Sequence, residues 1–344
     1  MEKKRIIWID VLNIIACMGV LLLHCTNGEI HNFSGEITLN WIIGLCTHSF
    51  MLWPVNVFFM LSGFTLIKPS IIEMGGVKRF FTRRINRLLV PVLTWNTIYL
   101  LIQILSQWYK GDTIDTPLVI IDKYLSFQYN GFMWFFIPLI CLYLSMPFLS
   151  LFVLNARRSV LKLFIVAYLI MNAVGCLSLS KGAHFYDIYI FGTRFVLFAV
   201  AGYYFGNYDI SVRARRKLYA LGYIGVLVIF VGTALLQLYM PNRYNLFLKY
   251  TNIPCTIIAF AVFVYGKYTN WSKVLSRIKI SESMLVKLSS LSLGIYLFQA
   301  IGFRLIGKFE SIDDCLILKF ILMYILSVCV VTIMKHIPLI NKIV

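Results

Sequence analysis

The chain has 344 residues, is 60% hydrophobic and carries only 13% charged residues, about half the charge of a typical soluble domain. No long stretch could supply the charged surface of a soluble domain, so a two-domain soluble protein is excluded. The net charge of +18 is held in short Lys and Arg clusters between apolar runs, the pattern of a membrane protein, and nucleic acid is not the expected partner.

A bilayer core about 30 Å thick needs about 20 apolar residues of helix. In chain order, ten runs qualify: 6–24, 39–67, 88–105, 133–154, 160–179, 188–206, 218–240, 251–265, 289–306 and 315–334. The expected fold is therefore all-α, a polytopic membrane helix bundle of about ten transmembrane helices forming one domain over residues 1–344. The first run follows Lys3-Lys4-Arg5 as a secretory signal would, but it holds Asp10 and Asn13 and has no small-x-small cleavage site before Thr26, so it reads as a retained span. Pro54 in the long second run predicts a kink or a broken helix. The longest connection, 106–132, is too short for a soluble domain, so any chemistry lies in or beside the bundle. The stretch 271–287 alternates apolar and basic residues and is expected along the inner interface. Eight Cys fall mostly inside apolar runs without CxxC pairs or zinc spacing and read as packing residues, a Cys25–Cys46 bridge being the alternative; no metal is expected.

With the N-terminus inside, the inner segments hold 23 Lys and Arg and the outer ones 8, alternating at every crossing, while Arg194 falls within the sixth run. Both termini are expected in the cytoplasm.

On the first run, Asp10, Asn13, Cys17 and His24 are spaced 3, 4 and 7 apart and share one narrow helix face. At 1.5 Å per residue, Asp10 and His24 lie about 21 Å apart, near opposite ends of the span. Two readings fit. His24 is either an interfacial imidazole solvated by outer headgroups, or a general base facing a cavity, a role its ordinary pKa of about 6.5 suits. Arg83, Arg84 and Arg87, three and four apart, should converge at the cytoplasmic mouth of the third run. They read either as topology anchors touching anionic lipid or as a phosphate clamp.

Further motifs carry a resemblance: Arg5-x4-Asp10-x-Leu12 leading to His24; Phe58-Phe59-Met60-Leu61-Ser62-Gly63-Phe64; Arg83-Arg84-Ile85-Asn86-Arg87-Leu88-Leu89-Val90-Pro91; Trp134-Phe135 with Leu142-Tyr143 and Pro147; and, more loosely, Gly202-Tyr203 and Ser292-x3-Tyr296-Leu297. In this order the chain resembles the acyltransferase 3 family of integral membrane acyl-CoA-dependent transferases. Many members carry Arg where this chain has Asn13 and His where it has Gln299, so no role is carried over to those two positions. The family often adds a secreted esterase-like domain, and this chain looks like a stand-alone transferase.

The resemblance implies acyl transfer, most simply from acetyl-CoA or another acyl-CoA, to a hydroxyl of a glycan or glycolipid acceptor in a bacterial plasma membrane. His24 would act as base or acyl acceptor, with Asp10 beside it in the catalytic set. Asp10 would pair with an inner Arg or order the helix, since it is too far along α-helix to bond His24. Arg83, Arg84 and Arg87 would hold the coenzyme A phosphates. Arg194, Trp134 and Tyr296 are candidates for substrate binding, with Tyr143 and Tyr203 joining a sugar-stacking wall, although such aromatics also serve as packing or belt residues. Ser62 before Gly63 suits close helix packing better than nucleophilic work. His48 is a candidate for the outer cavity, whereas His31, His184 and His336 read as loop or interface residues. The rival function is a transporter or flippase for a lipid-linked sugar, which needs neither the Arg-x-x-Arg pair nor the terminal His.

Overall fold

Among the described residues, which are 5–176, 193–309 and 315–344, the computed structural model contains helices and no strand. Lys3, Lys4, Lys181, His184, the end of the fifth run and the start of the sixth lie outside the described residues.

The first run forms α1 (Ile7–His31), which continues past His24 by two turns. The second run breaks in two, α2 (Leu39–Met51) and α3 (Pro54–Leu66). Pro54 opens α3, where its missing N–H has no intrahelical partner to lose. The third span starts earlier than its apolar run: α4 (Gly76–Arg84) passes through a π turn, Ile85–Leu89, into α5 (Val90–Lys110). Pro91 cannot donate to the Arg87 carbonyl and its ring would crowd it. The wider turn accommodates this, with the Val90 N–H bonding Ile85 O. The 106–132 connection contains a further helix, α6 (Pro117–Leu125).

The remaining runs become α7 (Phe136–Asn155), led by a 3-10 turn at Gly131–Phe135, α8 (Arg158–Cys176), α9 (Val196–Asn207), α10 (Val212–Tyr239), α11 (Ile253–Tyr268), α13 (Glu282–Ile306) and α14 (Leu316–His336). A short helix α12 (Trp271–Arg277) lies in the basic-apolar stretch. Seven helical stretches among the described residues are long and apolar enough to cross a bilayer, fewer than the ten runs. Helices α9 and α11 have 12 and 16 residues and extend about 18 and 24 Å at 1.5 Å per residue, short of a full core.

Helix α1 is central, packing against α2, α3, α11, α13 and α14. Helices α3 and α9 meet backbone to backbone. A Cβ on Gly63 would sit 1.9 Å from Ala199 O, and one on Gly202 would sit 2.0 Å from Met60 O. Glycine at both positions is thus what lets the pair close, the packing expected of Ser62-Gly63. Cys25 and Cys46 are not joined by a disulfide.

Candidate active site

The polar stripe of α1 docks on a matching stripe of α13. The Asn13 side-chain amide donates to Ser289 O at 2.9 Å and to the Ser289 and Ser292 hydroxyls at 3.1 Å. One turn on, the Cys17 thiol lies 3.8 Å from Ser292 O. Near the far end, His24 Nδ1 lies 2.9 Å from Gln299 Oε1. Rising numbers on α1 meet rising numbers on α13, so the two helices run parallel. Asn13, Cys17 and His24 thus each find a polar partner on α13, which stabilises buried polarity that would otherwise be expensive.

His24 is half-buried among aromatic side chains. Its ring stacks on Phe132, with centroids 4.1 Å apart at 18°, and meets the edge of Phe303 at 6.5 Å. With Nδ1–H given to the Gln299 carbonyl, the neutral ring keeps its lone pair on Nε2. His24 lines a cavity of about 470 Å³ with Asn27, His31, His48, Trp134, Lys249 and Tyr250 among its walls. His31 therefore joins the cavity rather than a detached loop, its Nδ1 2.9 Å from the Tyr244 hydroxyl. His48 Nδ1 lies 3.0 Å from Gly44 O and its Nε2 lies 3.1 Å from Asn27 Oδ1.

A second cavity, of about 320 Å³, opens at the other half of α1. Ile9, Asn13, Ser62, Arg84, Arg87, Tyr143, Ser289, Ser292 and Tyr296 are among its walls. Between the two lies the 3-10 turn Gly131–Phe135. Phe132 and Trp134 face the His24 side, Phe135 the arginine side, and the Tyr296 hydroxyl donates to the Phe132 carbonyl. The two chambers are thus divided by an aromatic septum.

The three arginines do not converge as ideal helix spacing predicts. Arg84 and Arg87 line the second cavity, while Arg83 lines a smaller basic cavity that Arg84 also touches. The π turn is the reason, because it adds a residue between Arg83 and Arg87 and turns their side chains apart. The Arg84 guanidinium lies over the rings of Phe80 and Tyr143 at 5.9 and 5.6 Å, and its Nε is buried with no hydrogen-bond partner among the described residues.

Asp10 is far from His24. Both of its carboxylate oxygens accept from Arg5, at 2.7 and 2.8 Å, and this hydrogen bond pushes the Arg5 pKa up. Arg194 stands in the turn before α9 rather than within a helix, its carbonyl facing the Asn172 amide at 3.5 Å, and it lines neither chamber. Nor is there a single aromatic wall. Trp134 stacks on Tyr250 at 5.2 Å in the His24 chamber, Tyr143 and Tyr296 belong to the arginine chamber, and Tyr203 lines neither.

Asn13 and Gln299, the two positions where the chain departs from the expected motif, both line or orient these chambers. The signal that could have found them is the second stripe, Ser289, Ser292 and Gln299, at helical offsets 3 and 7 on the ninth run. Phe132 and Tyr250 had no such signal in a chain 16% aromatic.

The family profile of acyltransferase 3, described as an acyltransferase domain, matches residues 6–336, essentially the whole chain. The chain belongs to the acyltransferase 3 family. It is a membrane acyltransferase of helical architecture. No curated protein and no solved structure matches it significantly.

Proposed function

We propose that the protein is an O-acyltransferase of a bacterial plasma membrane, with about ten spans and both termini cytoplasmic. It moves an acyl group, acetyl in the simplest case, from cytoplasmic acyl-CoA to a hydroxyl of an extracytoplasmic or lipid-linked glycan. The observation that carries this reading is the pair of chambers at opposite ends of α1, one walled by Arg84 and Arg87, the other by His24. The positive-inside count puts the arginine chamber in the cytoplasm, where coenzyme A resides. Guanidinium forks suit its phosphates, and the apolar walls below them, Leu61, Phe135 and Leu139, suit a thin pantetheine arm.

In the reaction, His24 Nε2 takes the proton of the acceptor hydroxyl as its oxygen attacks the thioester carbonyl; the C–S bond breaks, and the imidazolium returns the proton to the departing thiolate. Gln299 orients the ring for this. The stacked Trp134–Tyr250 pair offers a sugar ring an apolar face beside the base. Asp10, paired with Arg5 at the inner end, anchors the helix rather than touching substrate. The thioester reaches the base only past Phe132 and Tyr296, so the reactive state is one in which the septum has moved.

The test compares His24→Ala with wild type for alkali-labile acyl esters on cell-surface glycans by mass spectrometry, and for thiol release from acetyl-CoA by purified protein. Loss of both with undiminished folded protein is expected. Turnover at the wild-type rate would remove His24 from the chemistry.

A further inference from the structure

The docking of α1 on α13 holds the Asn13 amide in one orientation. Ser289 O is a backbone carbonyl and can only accept, so the Asn13 atom 2.9 Å from it is the NH2 group. The two protons of that group also serve the Ser289 and Ser292 hydroxyl oxygens, each at 3.1 Å. A flipped amide would set oxygen against carbonyl oxygen. Asn13 is half-buried in the wall of the arginine chamber, and its Oδ1 accepts no hydrogen bond from the described residues. With the NH2 group committed to α13, Oδ1 is the acceptor that Asn13 offers to the chamber. A ligand that displaces water from this oxygen must bring an N–H of its own or lose affinity.

The height of this acceptor is set by α13. Its partner Ser292 lies one turn before Tyr296, which meets the septum, and seven residues before Gln299, which holds His24. From Ser292 to Gln299 is about 10 Å at 1.5 Å per residue. Resting on the acyl-CoA reading above, we infer that Asn13 Oδ1 accepts the N–H of the pantoyl–β-alanine amide of coenzyme A, the amide of the pantetheine arm nearer the diphosphate. From that nitrogen to the thioester sulfur the arm runs about 8 Å when extended. With this amide bonded to Asn13, the sulfur stands at the height of the septum, between Tyr296 and Gln299. The arm's other amide, closer to sulfur, lies beyond the reach of Asn13. Asn13 is thus a specificity-determining residue for the donor: it sets how far the arm enters and takes no part in proton transfer.

Full-length protein in nanodiscs is titrated with acetyl-CoA and with two analogues, each carrying an ester oxygen in place of one amide N–H of the arm. The analogue altered at the pantoyl–β-alanine amide should bind about tenfold more weakly than acetyl-CoA, because its oxygen faces Asn13 Oδ1 with no proton between them. The analogue altered at the other amide should bind as acetyl-CoA does. In Asn13→Leu, acetyl-CoA should bind as weakly as the first analogue binds wild type, and the two should no longer differ. Thermal unfolding of the same preparation shows whether the variant is folded; where it is not, the wild-type series decides alone. Equal binding of all three compounds by wild type overturns the role of Asn13 while leaving the acyl-CoA reading intact. A penalty at the other amide, or at both alike, overturns the placement of the arm. A folded Asn13→Leu protein that still discriminates against the first analogue overturns the assignment to Asn13. Failure of acetyl-CoA itself to bind overturns the acyl-CoA reading and this inference with it.

Discussion

Replacing Gln299 with Leu removes the oxygen that accepts the His24 Nδ1–H bond at 2.9 Å while nearly keeping the side-chain volume. The imidazole then has a buried donor without a partner, a cost of about 1–3 kcal/mol. If that cost falls on the oriented tautomer needed for proton transfer, it corresponds to a roughly 5- to 150-fold loss of kcat at about 1.36 kcal/mol per decade. KM for acyl-CoA should stay put, because Gln299 does not line the arginine chamber. Stability should move little. Gln299 is itself fully buried and its Nε2 has no hydrogen-bond partner among the described residues, so Leu also removes an unsatisfied donor and offsets part of the loss. The assay is acceptor-dependent thiol release across a range of acyl-CoA concentrations, with a thermal unfolding curve on the same preparation. Wild-type kcat in a folded Gln299→Leu protein would refute the idea that this bond prepares the base.

Two further outcomes follow from the packing. Gly202→Ala forces a methyl group to within 2.0 Å of Met60 O, and overpacking of this kind costs about 1–3 kcal/mol; the thermal midpoint in detergent should fall, whereas Gly28→Ala, with nothing within 4 Å of the added atom, should leave it unchanged. Tyr296→Phe removes the hydrogen bond that pins the Phe132 carbonyl, which should loosen the septum and raise acetyl-CoA hydrolysis in the absence of acceptor by several-fold. A hydrolysis rate equal to wild type would mean that some other contact holds the chambers apart.

Much of the scaffold was readable because membrane physics writes itself into composition. Apolar run lengths, the Lys and Arg asymmetry and the 3.6-residue stripe from Asp10 to His24 each depend on one helix and the bilayer, not on tertiary contacts. The break at Pro54 was readable for the same reason. What was lost depends on pairs of helices or on departures from ideal geometry. Gln299 was set aside because the resembled pattern has His there, yet its hydrogen-bond partner, His24, sits on a different helix, so the contact leaves no mark in the local sequence. The divergence of Arg83 from Arg87 came from the π turn, and Pro91, four residues beyond Arg87, was the unread cause. Arg194 was assigned to a helix by hydropathy although it lies in the turn before α9. The septum could not be read at all, since nothing local distinguishes Phe132 from the other 26 phenylalanines.

Helix α13 carries Ser289, Ser292, Tyr296 and Gln299 at offsets of 3, 7 and 10, a single face that meets the arginine chamber, the septum and the base in turn. From Ser289 to Gln299 is about 15 Å at 1.5 Å per residue. Hydrogen bonds tie this face to α1 at Asn13 and at His24, at opposite ends of the stripe, so sliding the two helices apart would break polar contacts that membrane burial makes costly to lose. In the transfer proposed above, the distance between thioester and base is therefore set by a clasped pair. The element free to yield is the 3-10 turn. Gly131 at its start has nothing within 4 Å of its Cβ position, and from α13 Tyr296 secures the turn at the Phe132 carbonyl. A barrier made of side chains and one short turn also has a chemical use in the transfer proposed above: while closed, it keeps the thioester apart from the polar chamber where water could compete with the acceptor hydroxyl. Opening it then needs a few side-chain rotations and one broken hydrogen bond, with the helical frame left in place.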